Sequence, residues 1–280
     1  MTEPVPDLGG LPRLRYGEHT WLELRELGRR DDLVIVLPAA TLEDHGYHLP
    51  IDTDVRLVEA VAEGAVQRFN QQGEAKAILF PTQVHGYTPH HLDFPGSVTL
   101  RWNVFVESLL DQCRSLVRHG FDRILIVNGH GSNIPLVNMA ARLINVEFRD
   151  AVCASSFYLT SPRSLQLIEE IRQSELGGMA HACELETSLY LAIRPDLVQM
   201  EHAVKEIPAS YTEHVWMDWT DGPLSYMPHW SGLTESGVTG DASVATVETG
   251  RALLRRAQEE VAEYVADVAT RPRQPGRDRH

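Results

Sequence analysis

Residues Arg123 to Asn133 read RILIVNGHGSN. The run Arg123–Val127 is rich in Ile and Val and too short for a convincing helix, so it predicts a strand, which Asn-Gly-His-Gly then breaks. In an open parallel α/β sheet, ligands bind outside the carboxyl ends of the strands. A histidine at such an end, flanked by glycines that permit close approach, is therefore a candidate for chemistry. The plainer alternative is an Asn-Gly turn with His130 incidental. A phosphate cradle is a poor match, because the G-x-G-x-x-G spacing and the P-loop lysine are both missing.

The same organisation recurs on either side of this stretch. A predicted strand Leu33–Leu37 runs into PAATLEDHGYHLPIDTD, and a second, Glu74–Phe80, into PTQVHGYTPHHLDFPGS; Ala151–Tyr158 is the fourth. Helical spacing fills the intervals Val55–Asn70, Trp102–His119 and Ile134–Phe148, with Gly120 closing the second of these. Later helices are predicted over Pro162–Ser174, about His181–Ile193 and about Ala242–Ala269. Strands alternating with helices predict an α/β fold with a mostly parallel sheet. No repeat or linker divides the chain, so a single domain over residues 1–270 is expected. The final ten residues, RPRQPGRDRH (271–280), have the composition of a disordered tail. Residues 205–240 read as a long loop carrying Trp216, Trp219 and Trp230, either as a lid or subunit contact or, for at least one of them, as buried packing.

Composition narrows the partners. With 280 residues and a formal net charge of -14, there is room for a large core but no basic surplus to neutralise phosphates, which argues against nucleic acid. A neutral or cationic small molecule fits better. Cys113, Cys153 and Cys183 form no CxxC pair, which disfavours a disulfide framework and a structural zinc knuckle and points to a reducing cytoplasm. No leader pattern opens the sequence and no apolar run approaches the ~20 residues of a membrane span, so a cytoplasmic protein is expected.

Three polar clusters stand at predicted strand or helix ends. LEDHGYHLPIDTD, Leu42–Asp54, holds Glu43 and His45 two residues apart, on one face if the strand persists, and Asp54 where the next helix begins. Imidazole and carboxylate together suit Zn²⁺, Mn²⁺ or Fe²⁺ better than Ca²⁺ or Mg²⁺. A polar loop with Asp54 as a helix cap is an even alternative for this stretch alone. HACELETS, His181–Ser188, sets His181 and Glu184 on one helical face if the helix starts there, with Glu186 pointing elsewhere. In the loop after the second strand, His85 and Tyr87 could contact a substrate, whereas His90 and His91 read as surface residues.

Five ordered motifs, E-x-H-G-x-H-L-P-x-x-T-D (Glu43–Asp54), F-P-G (Phe94–Gly96), N-G-H-G-x-N (Asn128–Asn133), H-A-x-E-x-E-T-S (His181–Ser188) and G-V-x-G-D (Gly237–Asp241), resemble those of the creatininase family of metal-dependent hydrolases. The resemblance covers roughly residues 15–260. It implies a three-layer, Rossmann-like α/β/α fold, a two-metal centre of Zn²⁺ or Mn²⁺, and a homo-oligomer, often a hexamer. It also implies Glu43, His45, Asp54 and His130 as metal ligands, with Asp54 bridging, and His181 as the proton carrier to the leaving group. Creatinine-hydrolysing members carry a ligand glutamate two residues after the NGH histidine, where this chain has Ser132. The missing carboxylate is expected from Glu184, with Glu186 as its partner near the metals or its substitute. Cys183 stands where the family usually has glycine. The implied reaction is attack of a metal-held hydroxide on a carbonyl, cleaving a cyclic amide or formamide. The alternatives are C–C hydrolysis of a cyclic ketone sugar and a non-catalytic metal-binding scaffold.

Overall fold

The computed structural model describes residues 13–273. In chain order the first elements are α1 (Trp21–Leu27), β1 (Leu33–Ala39), α2 (Thr53–Asn70), β2 (Lys76–Leu79), α3 (Trp102–Arg118), β3 (Arg123–Asn128), α4 (Ile134–Glu147) and β4 (Val152–Phe157). The second half contains α5 (Pro162–Ile171), β5 (Met179–His181), α6 (Glu184–Ile193), β6 (Lys205–Glu206), β7 (Met217–Asp218), β8 (Thr220–Asp221), β9 (Thr239–Asp241) and α7 (Val247–Thr270).

The four strands expected from the sequence form one parallel sheet in the order β2-β1-β3-β4. Every residue of β1 and β3 is buried, as a parallel sheet covered on both faces requires. Side chains alternate between two cores. Val34, Val36, Leu125 and Val127 point to the side covered by α2, α6 and α7, whereas Ile35, Leu37, Ile124 and Ile126 point to the side covered by α3 and α4. The helices are held in place by apolar stripes at helical spacing, such as Val58, Val61, Ala65 and Phe69 on α2 and Phe105, Leu109, Cys113 and Leu116 on α3. The result is the expected three-layer α/β/α arrangement. No helix among the described residues is long and apolar enough to cross a membrane.

The structure differs from the sequence reading in the second half. His181 ends the short strand β5, and the helix begins only at Glu184, so the two residues do not share a helical face. The last helix begins at Val247, not Ala242, because the Thr246 hydroxyl accepts from the Thr249 N–H and caps it there. Residues 205–240 are not one loop. β9 pairs antiparallel with β5 on one edge and β6 on the other, forming a second small sheet. The β7–β8 ribbon is fastened beside it by Asp218, which receives both Arg172 guanidinium nitrogens at 2.7 and 2.9 Å and the N–H groups of Gly177 and Met179. In the segment expected to be disordered, Arg273 reaches the Asp122 carboxylate at 2.8 Å and the Asp150 carbonyl at 3.1 Å; residues 274–280 lie outside the described residues.

α7 is locked to the β4–α5 connection by one buried carboxylate. Glu260 accepts from the N–H groups of Thr160 and Ser161 and from the hydroxyls of Ser161, Ser164 and Tyr264. Burial raises its pKa, but these hydrogen bonds outweigh it and leave the group below the usual glutamate range. A folded-state pKa below the unfolded one gives stability that is present above the unfolded value, about 4.3, and lost as pH falls through the folded value. Glu260→Gln is therefore expected to lower unfolding free energy at pH 7 by about 1–3 kcal/mol. Urea titrations at stepped pH should find the gap from the parent protein shrinking below about pH 4; a gap independent of pH would refute the ionic origin.

Candidate metal centre

Two chain segments leaving the carboxyl edge of the main sheet, and one from the small sheet, converge on a buried cluster. Glu43 follows β1, Asp54 lies in the first turn of α2, His130 follows β3 and His181 ends β5. Gly129 allows this convergence: a side chain there would meet the Val58 Cβ at 2.8 Å and the Asp54 carbonyl at 3.1 Å. The end of β3 can thus press against the start of α2, which puts His130 beside Asp54. On the other side, Gly237 has φ +87° and a Cβ there would strike the Asp44 carboxylate at 2.0 Å.

The rings share one pattern. His130 donates its Nε2–H to the Tyr87 carbonyl at 3.2 Å, His45 its Nδ1–H to the Glu43 carbonyl at 3.3 Å, and His181 its Nε2–H to the Asp44 carbonyl at 2.9 Å. A carbonyl can only accept, so each bond fixes a tautomer and turns the other ring nitrogen toward the carboxylates. His130 Nδ1 lies 3.1 Å from Glu43 Oε1 and 3.2 Å from Asp54 Oδ2; His45 Nε2 lies 3.3 Å from Asp54 Oδ1. Asp54 thus presents one oxygen to each of two imidazoles. His181 Nδ1 is 3.7 Å from Glu43 Oε1.

Glu184 is not brought to this cluster. Its two oxygens accept from the Gln173 and Ser174 N–H groups, each at 2.8 Å, so it anchors the chain before β5. Glu186 turns inward instead, accepting from the Ala182 N–H at 2.6 Å and lying with His45 and His181 in a group able to grip one ion. Ala182 holds a left-handed φ of +48°, a conformation that costs a non-glycine residue about 1–3 kcal/mol and clusters at functional sites.

Sequence reasoning also misplaced His90 and His91. Both are buried: Pro89 starts a single turn that folds them inward, where Trp230 stacks on His91 at 4.8 Å and meets His90 edge-on at 5.8 Å. His91 donates from Nδ1 to the buried Asp44 and turns Nε2 toward Glu43 at 3.7 Å. The adjacent His-His before F-P-G was the available signal, but its partner Trp230 is remote in sequence. His48 contacts Thr187 at 2.8 Å, one layer behind His45. Cys183 is wholly buried and its thiol is pushed up by burial, then by Glu186.

The electrostatics describe a site with surplus negative charge. Burial and then the nearby carboxylates Asp54 and Glu43 push Glu186 up to about 7, while His45 opposes them. Burial opposes ionisation of Glu43, yet His130 and His91 hold its pKa well below the usual range. His45 and His130 rise to about 10 because their carboxylate partners outweigh burial. His181, facing two other rings, falls to about 3 through burial and then through His45 and His91. His45 Nε2 and Asp54 Oδ2 are buried without a hydrogen-bond partner although they face the cluster. Native interiors rarely leave such atoms unpaired, and mixed nitrogen and oxygen donors with orphaned lone pairs fit a transition-metal cation. The cluster opens into a cleft of about 630 Å³ walled by Phe157, Met217, Trp219 and Trp230, and no lysine or arginine is among its described lining residues.

Comparison with known proteins gives the family of the chain. Residues 17–265 match the family model for creatininase, described as creatinine amidohydrolase. The chain is 29% identical to the mycofactocin precursor peptide peptidase of Mycolicibacterium smegmatis, over 79% of each chain. It is 27% identical to the creatinine amidohydrolase of Pseudomonas putida, over 90% of this chain and 95% of that one. Among solved structures, a mutant creatininase of Zn-Zn type superposes with a TM-score of 0.77 at 25% identity, covering 92% of this chain and 98% of that one.

A cation that relieves this crowding must stabilise the folded state. Adding Zn²⁺ or Mn²⁺ to chelator-treated protein is expected to raise stability, by about 2.7 kcal/mol when free metal is a hundredfold above its Kd. Thermal melts with and without metal measure it, and Ca²⁺ should do much less. Identical melts in all cases would mean that the cluster is satisfied by its own protons.

Proposed function

Because the chain belongs to the creatininase family, we propose that it is a metal-dependent hydrolase that cleaves a C–N amide bond in a small neutral or cationic molecule. The observation that carries this reading is the buried set Glu43, His45, Asp54 and His130, which converges at the floor of an open cleft with His45 Nε2 and Asp54 Oδ2 left without a hydrogen-bond partner. The names of the similar proteins, a creatinine amidohydrolase and a peptide peptidase, both denote hydrolysis of a C–N bond of amide type.

The reading assigns two ions. Glu43 and His130 would hold one, His45 and Glu186 the other, and Asp54, with one oxygen near each imidazole, would bridge them. Glu186 replaces Glu184 as the additional carboxylate, because both Glu184 oxygens are committed to backbone N–H groups. Zn²⁺ or Mn²⁺ suits this donor set, with Fe²⁺ as a third option, and three carboxylates leave the pair of ions with a net positive charge. Divalent ions so held lower the pKa of a bound water from 15.7 to about 7 and polarise a carbonyl oxygen.

The chain's own groups supply the rest. His181 is neutral at neutral pH, with Nε2–H fixed on the Asp44 carbonyl and Nδ1 free. It would take a proton at Nδ1 from the attacking water and pass it to the departing nitrogen, which otherwise leaves as a poor anion. Trp230 packs edge-on against the His181 ring at 5.2 Å and keeps bulk water from that path. A cleft with no lysine or arginine among its described lining residues disfavours carboxylate- or phosphate-bearing substrates, while Phe157 and Trp219 offer flat apolar surface to a ring or side chain. Exposed apolar side chains at Trp102, Val104, Met139 and Leu143 on α3 and α4 support self-association into a homo-oligomer.

His181→Ala is expected to lower kcat on the order of 10²- to 10⁴-fold while leaving metal content unchanged. Loss of metal in that variant would make His181 a ligand instead. A screen of metal-loaded protein against lactams, formamides, short peptides and cyclic ketones tests the reaction class, and turnover of ketones alone would overturn amide cleavage.

A further inference from the structure

Among the described residues, two of the groups of potential ligands share no member. One joins His45, His181 and Glu186; the other joins Glu43, His130 and His90. The first group has its own outer carboxylate. The second has only Glu43, and beside it after β3 stands Ser132, whose hydroxyl lies 3.2 Å from His90 Nε2. His90 is buried, its ring lies nearly parallel to that of His130 with centroids 6.1 Å apart, and Trp230 closes its far side.

Resting on the two-ion reading above, in which Glu186 serves the other ion, we infer that His90 is a further ligand of the ion held by Glu43 and His130, on the side where Ser132 offers no carboxylate. The ligand atoms of Glu43, His90 and His130 lie within 4.8 Å of one another. Around a tetrahedral ion with bonds of about 2.1 Å, neighbouring ligand atoms are about 3.4 Å apart, so an inward movement of each by less than about 1 Å closes the site. His90 donating from Nε2 to the Ser132 oxygen would reproduce the pattern of the other rings, with one nitrogen tied to an oxygen and the other left with a lone pair. Ser132 is then the residue that orients the imidazole. A neutral ligand at this position also leaves the centre one negative charge short of a site with a fourth carboxylate, which strengthens its pull on a substrate carbonyl.

The test uses parent protein, the single variant His90→Gln and the double variant His90→Gln/Ser132→Glu. Each is loaded with Co²⁺ and desalted, and its metal content is measured together with the visible cobalt spectrum. The parent is expected to keep two ions and His90→Gln one, with loss of part of the visible absorption, and the carboxylate introduced by Ser132→Glu in the double variant to restore the second. Equal cobalt content and an unchanged spectrum in His90→Gln would overturn the role of His90 while leaving the metal reading intact. A parent protein that retains no metal would overturn both. Should His90→Gln fail to fold by circular dichroism, a folded and fully loaded double variant still supports ligation. Failure of both to fold would mark His90 as a packing residue and overturn the inference.

Discussion

Three carboxylates, Glu43, Asp54 and Glu186, are buried within reach of one another, and no protein interior holds such a group without opposing charge or a ring of donors. Much of the surrounding architecture answers to that constraint. Thr88 donates to Glu43, the Ala182 N–H donates to Glu186, and His45 and His130 sit against Asp54. The backbone carbonyls of Glu43, Asp44 and Tyr87 then fix the rings so that the nitrogen facing inward is the one that a cation could take over from a proton. The same backbone strain at Ala182 that is unfavourable in isolation puts its N–H on Glu186.

Glutamate serves two unlike purposes in this molecule. Glu260 and Glu184 are also fully buried, yet each has donors of its own, backbone N–H groups and hydroxyls for Glu260 and two backbone N–H groups for Glu184. Donor supply, and not burial, separates a structural carboxylate from one that must bind something. That distinction favours Glu186 over Glu184 as the one that faces a cation, although the two sit two residues apart on the same helix.

The sheet and the first part of the site were legible because their signals are local. β1 and β3 are short Val- and Ile-rich runs, and the polar residues that follow them, Glu43, His45, Asp54 and His130, had to emerge at one edge of a parallel sheet. β5 was illegible, since three residues carry no period, and without it the phase of α6 could not be known. The choice between Glu184 and Glu186 turned on that phase. His90 and His91 could not be assigned from their neighbours because their burial depends on Trp230, which arrives from a distant part of the chain. The small sheet escaped notice for the same reason, as β9 and β6 contribute three and two residues to it.

The pairing of β5 with β9 has a consequence for how the molecule is completed as it is made. His181 emerges from the ribosome roughly sixty residues before Thr239–Asp241, the strand that holds it in place. At 5–20 residues per second, that is a delay of about 3–12 s. During this interval the segments bearing Glu43, Asp54 and His130 already exist, while the arm that carries His181 has no edge to pair with. Under the proposed assignment, a nascent chain would pass through a stage that holds the segments bearing Glu43, Asp54 and His130 but not yet a fixed His181, so the cluster is completed last.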